Sequence, residues 1–563
     1  MIGEISPGLI LIIGALFVPL LRGRARSAFM LLLPVAAFVY LIGLPHGEFG
    51  QVQFLRLQIV TLRVDKLSLL FGYIFLLATF LGVIYALHVG DTMQHVATLI
   101  YAGSAVGAVF AGDLVTLFVY WEATAIASVF LIWASRTERA YAAGLRYLVV
   151  QVFSGALLLA GTLLLYRESG SVAFGLMRVS SLATWLIFIA FGIKCAFPLL
   201  HNWLQDSYPE ATVTGTVMLS VFTTKLAVYA LARGFAGTEI LVPIGAAMTA
   251  FPIFYAVIEN DLRRVLSYSL NNQLGFMVAG IGIGTELAVN GAVALAFVHI
   301  LYKGLLFMSM GAVLYRVGTI KGSELGGIYK SMPWTAGFCI VGAASISAFP
   351  LFSGFISKTL IMQAAMDGGY LWTWLVLLFA SAGVFHHSGI KIPYFAFFAH
   401  DSGKRCAEAP ANMLIAMAIT AALCVLIGLF PGYLYALLPH RTNFVPYTAE
   451  HVVTQLQLLL FSALAFTVLM RTGIYPPELR STNLDFDWFY RRLGRDLAIS
   501  LGRSAEAAWF AITGATERGV RAAVAGIRRH HGPEGVLGRT WPTGSMAFWT
   551  TIMLAAYLIL SYL

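Results

Sequence analysis

The chain has 563 residues, of which 59% are hydrophobic and only 11% charged, with a mean hydropathy of +0.82. Soluble domains carry about 25% charged residues, so this deficit excludes a soluble globular protein and puts most of the chain in lipid. The formal net charge of +10 does not read as nucleic-acid binding, because the basic residues fall in short loops, as the positive-inside rule requires.

Apolar runs long enough to cross a bilayer recur from end to end. They predict an all-α polytopic membrane protein with about 16 spans: 7–21, 28–44, 67–89, 94–111, 113–134, 141–165, 182–204, 212–234, 239–258, 263–283, 286–314, 333–366, 370–399, 411–434, 452–470 and 545–563. No basic region precedes the first run, so it reads as a mature helix rather than a cleaved signal peptide. Arg22, Arg24 and Arg26, then Arg136 and Arg139, Arg263 and Arg264, Arg316, Lys321 and Lys330, and Lys404 and Arg405 share one side under strict alternation. That side is expected to be cytoplasmic, with both termini outside, on the periplasmic face of a cell inner membrane. Arg56, Arg63 and Lys66 are the main exception, with Arg167 and Arg178 a lesser one. The first three lie in 46–66, where Leu55, Leu57 and Ile59 alternate with polar residues, as in an external hairpin.

An ionisable group at membrane depth costs roughly 2.5–3.5 kcal/mol, yet such groups recur here. Glu122 follows a mostly apolar stretch in the fifth span. Lys194 lies in the seventh, four residues before Pro198. Proline leaves the carbonyl of residue 194 without a donor and crowds it, so the helix should break beside the lysine. Irregular backbone at that depth is tolerated only against protein or a water-filled cavity, which makes Lys194 a candidate for an ion path. Lys225 sits mid-span beside Thr223 and Thr224. His299 and Lys303 are four apart and share one helix face, where a proton can pass between them through water. Pro350, Ser353 and Gly354 predict a second broken helix carrying Lys358. The two interruptions suggest two repeat halves around one transport path, although the pairing is one of features and no direct sequence repeat is evident. His386, His387 and Lys391 in the thirteenth span have no assigned role; adjacent histidines face different sides of a helix, which argues against a chelate. Asp113 and Asp206 stand near span ends.

Residues 471–544 break the pattern. They are rich in arginine, Arg480, Arg491, Arg492 and Arg495 among them, while Phe486, Trp488, Phe489, Leu493, Leu497, Leu501, Ala505, Trp509 and Ile512 recur at helical spacing. This predicts an amphipathic helix along the membrane surface or a partner subunit, with a last span after it. The four cysteines, Cys195, Cys339, Cys406 and Cys424, are scattered singly, so neither an iron–sulfur centre nor a zinc site is expected. With no nucleotide-binding glycine fingerprint, no metal cluster and no nucleophile–base pair, the chain reads as a transporter subunit rather than an enzyme, without a cofactor.

The segments Asp113–Glu122, Gly192–Asp206, Thr223–Arg233, Asp261–Ser269, His299–Phe307 and Ser353–Lys358 resemble the antiporter-like membrane subunits shared by respiratory complex I and multisubunit (Mrp-type) cation/proton antiporters, the D subunit above all among the latter. The resemblance implies a 14-helix core of two inverted repeats with discontinuous helices. It implies Glu122 and Lys194 as an ion pair, Lys225 as the central lysine, His299 and Lys303 as its continuation, and Lys358 at the exit. The C-terminal segment resembles the lateral helix of the largest such complex I member. Trp203-Leu204-Gln205-Asp206-Ser207 and Glu210–Gly215 depart from the family's usual turns.

The organisation expected is N-terminal helices at 1–93, half-channels at 94–234 and 235–400, further core helices at 401–470, the amphipathic segment at 471–544 and an anchor at 545–563. The function expected is movement of protons or sodium ions, alongside other membrane subunits of a hetero-oligomeric complex in the bilayer. The alternatives are a proton-pumping subunit of a respiratory or hydrogenase-type complex, and a proton-coupled subunit for inorganic-carbon uptake.

Overall fold

The computed structural model describes residues 5–54, 57–476, 478–479 and 483–563. Leu55 and Arg56 of the expected hairpin, and Arg480 of the arginine-rich segment, lie outside the described residues. The all-α expectation holds. Eleven helices among the described residues are long and apolar enough to cross a membrane, and three shorter apolar helices accompany them. The hairpin at 46–66 is present, with Gly47–Phe54 paired antiparallel to Leu57–Val64. The chain divides into two compact units, Met1–Asn483 and Leu484–Leu563.

The first unit carries an internal repeat. Asp113 caps the helix Leu114–Trp133 by accepting the N–H groups of Val115 and Thr116; Asp261 caps Leu262–Ile283 by accepting those of Arg263 and Arg264. A bridge joins Asp113 to Ala173, and another joins Asp261 to Lys321. The next helix is 32 residues long in each half, from Thr137-capped Glu138–Ser169 to Gly170, and from Thr285-capped Glu286–Val317 to Gly318. Both terminal glycines are left-handed, at φ +70° and +80°, where a Cβ is disfavoured. Each of these landmarks recurs 148 residues on, Asp113 to Asp261, Thr137 to Thr285 and Gly170 to Gly318. Five helical passages separate the two aspartates, so reversal at each loop turns the second half upside down relative to the first.

The repeat includes a direct sequence identity, which was not expected. Ala196-Phe197-Pro198-Leu199 recurs as Ala348-Phe349-Pro350-Leu351. Leu182–Lys194 and Pro333–Ile346 end in the same way. The Phe197 N–H reaches Gly192 O at 3.0 Å and the Phe349 N–H reaches Ala344 O at 3.0 Å, while Ala196 and Ala348 bond three residues back. Both alanines are left-handed, at φ +61° and +57°, and so are Leu199 and Leu351. This is the helix-ending turn usually given to glycine, made here by alanine with proline two residues on to prevent continuation.

In the second unit the helix Gly494–His531 and the helix Thr543–Tyr562 have no buried residues. A helix with one apolar and one arginine-rich face cannot cover its apolar side alone.

Candidate functional site

Three of the expected buried lysines, Lys194, Lys225 and Lys358, lie where a helix has been interrupted or where a carbonyl has been freed. Lys194, with no exposed surface, is the last residue of its helix. Its Nζ donates to Trp121 O at 2.7 Å and Thr124 Oγ1 at 2.9 Å and lies 4.2 Å from the Trp121 ring centre. Glu122 is in electrostatic reach of Lys194, but the implied ion pair is not closed by contact. The Trp121 carbonyl and Thr124 hydroxyl take the ammonium protons, and Glu122 Oε1 is buried without a hydrogen-bond partner. The carboxylate rests over Gly155, where an added Cβ would clash with Oε1.

Lys225 adjoins an interruption that the sequence reading missed. The helices Val213–Val221 and Thr223–Gly234 are split at Phe222 without proline or glycine. The split frees Ser220 O, to which Lys225 Nζ donates at 2.6 Å. Beside it, Thr223 Oγ1 lies 2.5 Å from the Tyr101 hydroxyl and 3.4 Å from the Tyr147 hydroxyl, which meets Ser128 Oγ at 2.7 Å.

His299 and Lys303 are wholly buried on the helix Glu286–Val317, and neither ring nitrogen nor the ammonium has a hydrogen-bond partner. His299 is in electrostatic reach of Lys225, Lys303 and Lys358, and Lys303 of Lys225 and Lys358. The Tyr302 hydroxyl donates to Gln273 Oε1 at 3.0 Å. Lys358 follows the second break and reaches back across it, donating to Ile346 O at 2.8 Å. Ile346 stands two residues before Ala348, as Lys194 stands two before Ala196, so the two halves bring an ammonium to the same broken end from opposite sides. A cavity of about 400 Å³ leads from Lys358 past Phe276, Gln363, Gln455 and His451 to Glu450. Buried polar atoms without protein partners call for ordered water, and here they lie between the lysines.

A search for charge alone misses the neutral members. Gln151 and Ser154 line the first half, and Asn271, Asn272 and Gln273 the second, all fully buried. Their signal was present: three consecutive amides inside an apolar run. No group of metal-ligating side chains occurs among the described residues.

Residues 111–385, just under half of the chain, match the family described as NADH:quinone oxidoreductase/Mrp antiporter, TM. Over that region the chain is similar to the membrane subunits of that family. It is 27% identical over 513 residues to hydrogenase-4 component B of Escherichia coli (strain K12), covering 79% of this chain and 74% of that protein. It is 31% identical over 313 residues to the Na(+)/H(+) antiporter D subunit of Alkalihalophilus pseudofirmus, covering 52% of this chain and 63% of that protein. Two solved structures share the fold. A chain of the Mrp complex from a Dietzia species superposes with TM-score 0.78 at 23% identity, over 92% of this chain and 62% of that one. A chain of an archaeal membrane-bound sulfane sulfur reductase superposes with TM-score 0.71 at 22% identity, over 99% of both.

The stretch that departs from the usual family turns, 203–215, is held by arginines of other helices. Arg146 clasps Asp206 through Nε at 2.7 Å and Nη2 at 3.0 Å, and Arg139 pairs with Glu210 at 2.7 Å. Arg263, from the second half, donates to Ala211 O at 2.8 Å and to Thr216 Oγ1. Asp113 is also structural, accepting the Val60 N–H of the hairpin at 2.9 Å besides its own helix.

Proposed function

We propose that this chain is an ion-translocating membrane subunit of a multisubunit cation/proton antiporter, carrying protons along Glu122, Lys194, Lys225, His299, Lys303 and Lys358. The observation that carries this reading is the pair His299 and Lys303, wholly buried and unpartnered within electrostatic reach of Lys225 and Lys358. A structural lysine at this depth is expected to be paired or hydrogen-bonded. An unpaired one that can bind and lose a proton is instead a carrier. Like charges about 4 Å apart interact at ~4 kcal/mol for an effective dielectric of about 20, so a proton arriving on one lysine alters the charge its neighbour can hold.

Under this reading 94–234 and 235–400 are the two half-channels, and Pro198 and Pro350 maintain the two breaks. The chain lies in a cell inner membrane with both termini outside, as the loop arginines indicate, and other membrane subunits complete the complex. The test is proton flux in vesicles bearing the native complex. Glu122→Gln and Lys303→Met should each abolish it with assembly intact; undiminished flux would sink the reading.

A second reading, the membrane part of a redox-driven pump, is favoured by the 27% identity to a hydrogenase component over 79% of the chain. Mass spectrometry of the native complex separates the two: iron–sulfur subunits support the pump, and cation-antiporter subunits alone support the antiporter.

A further inference from the structure

Lys391, Glu478, Glu259 and His387 are buried titratable groups that the path above does not use. Lys391, without exposed surface, ends a π-helical stretch, Phe385–Lys391, a widened turn frequent at functional sites. Its Nζ donates to Val257 O at 2.6 Å and Glu259 O at 2.7 Å and pairs with Glu478 Oε1 at 2.8 Å. Glu478 comes from the non-helical segment after Ala449–Thr472, yet its side chain is only 5% exposed. Its Oε2 has no hydrogen-bond partner. Glu259, by contrast, is fully engaged: Oε1 accepts the N–H groups of Asn260 and Asp261, and Oε2 accepts Asn483 Nδ2 at 3.1 Å. On the inner side, His387 is fully buried with Nδ1 2.9 Å from Ser388 Oγ, which donates to Ser269 Oγ at 2.7 Å. It lies in electrostatic reach of Lys303, Lys358, His386 and Lys391, and its Nε2 is unpartnered. On the outer side, Glu478 lines a cavity of about 320 Å³ with Ser323, His400 and Tyr475.

We propose that Glu478 is the terminal proton carrier of a second branch of the buried axis, running from the Lys303–Lys358 cluster through His387 and Lys391 to this cavity. The proposal rests on the proton-translocating reading. A pair kept only for structure would hydrogen-bond both carboxylate oxygens, and desolvation makes such pairs poor stabilisers. Here both oxygens are buried and only Oε1 is met, by Lys391, while the residue lines the cavity. The step balances: the Lys391 ammonium gives one proton to the Glu478 carboxylate, leaving an amine and a carboxylic acid. The acid then releases that proton to water in the cavity, and His387 returns one to Lys391. The charged or titratable groups facing Glu478 are Lys391, Glu259, Tyr475 and His400. Burial pushes the Glu478 carboxyl up, against the pull of Lys391, and Glu259 adds to the rise.

The test uses the whole complex in vesicles with a pH-sensitive dye. Glu478→Gln, which keeps the shape, should lower flux roughly tenfold or more. The double variant Lys391→Met/Glu478→Gln, which removes both charges together, should stay as low. Recovery of the double variant to within about twofold of wild type would show a merely structural pair and overturn the proposal. So would full flux in Glu478→Gln while Glu122→Gln is inactive; full flux in both would instead remove the underlying transport reading. Independently of flux, dicyclohexylcarbodiimide, which attacks protonated buried carboxyls, should label Glu478 more at pH 6 than at pH 8. Labelling that does not change with pH overturns the proposal.

Discussion

Gly155 faces Glu122 across two helices, and the contact is close enough that one methyl group decides where the carboxylate sits. The far end of a side chain can move where backbone cannot, so Gly155→Ala should fold and assemble normally. It should still displace the acid and cut vesicle proton flux on the order of tenfold to a hundredfold, with no titratable group changed. Asp65 gives a pH-dependent case outside the spans. Burial pushes its carboxyl up, but the Arg233 hydrogen bond and charge, the Ser68 N–H and Arg63 outweigh this and hold it below the usual range. A lowered carboxyl contributes stability that is present above its unfolded value, near about 4, and is lost as pH falls through the lowered folded value. Thermal midpoints in detergent should therefore be flat from neutral pH down to about 5 and fall below about 4. Asp65→Asn should remove about 1–3 kcal/mol at neutral pH, the partial exposure of Asp65 favouring the low end, and should flatten that acid limb.

At the scale of the element, two helices end in one turn, and alanine holds the left-handed position in both. The left-handed conformation costs an ordinary residue roughly 1–2 kcal/mol, and a β-branched side chain is still less suited to it. Ala348→Val should lower the thermal midpoint of the purified chain. It should also lower flux, because Ile346 O would no longer be presented to Lys358. A Val variant as stable and active as wild type would show that the turn is not what positions the lysine. The break at Phe222 has no such local cause, and the Ser220–Lys225 bond and the Tyr101–Thr223 contact are what stabilise it.

At the scale of the molecule, the unit Met1–Asn483 has a buried core and an internal repeat, whereas Leu484–Leu563 has almost no buried residue. A chain ending at Asn483 should therefore fold in detergent with a melting midpoint within a few degrees of the full chain. Collapse of the shortened chain would show that the second unit contributes to the core. Arg263 binds the 208–216 stretch of the other half, so the two halves should melt in one transition rather than two.

Much of this was legible in order. Hydropathy sets the solvent, because twenty apolar residues in a row can be satisfied only as helix in lipid, and Pro198 and Pro350 mark breaks because their missing N–H is a property of the residue. The buried charges announced themselves for the same local reason. What the linear chain did not disclose depends on distance in sequence. The partners of Lys194 lie about seventy residues away and those of Lys391 more than eighty. Glu478 was not singled out within the arginine-rich segment 471–544, because its burial comes from its pairing with Lys391 at the end of the π-helical turn. The repeat was hidden because an inverted copy keeps its turns and caps while its helix faces diverge. The repeated Ala-Phe-Pro-Leu and the 148-residue spacing are short and scattered, and the hydrogen bonds around Asp113 and Asp261, and around Ala196 and Ala348, are what show that the same backbone was folded twice.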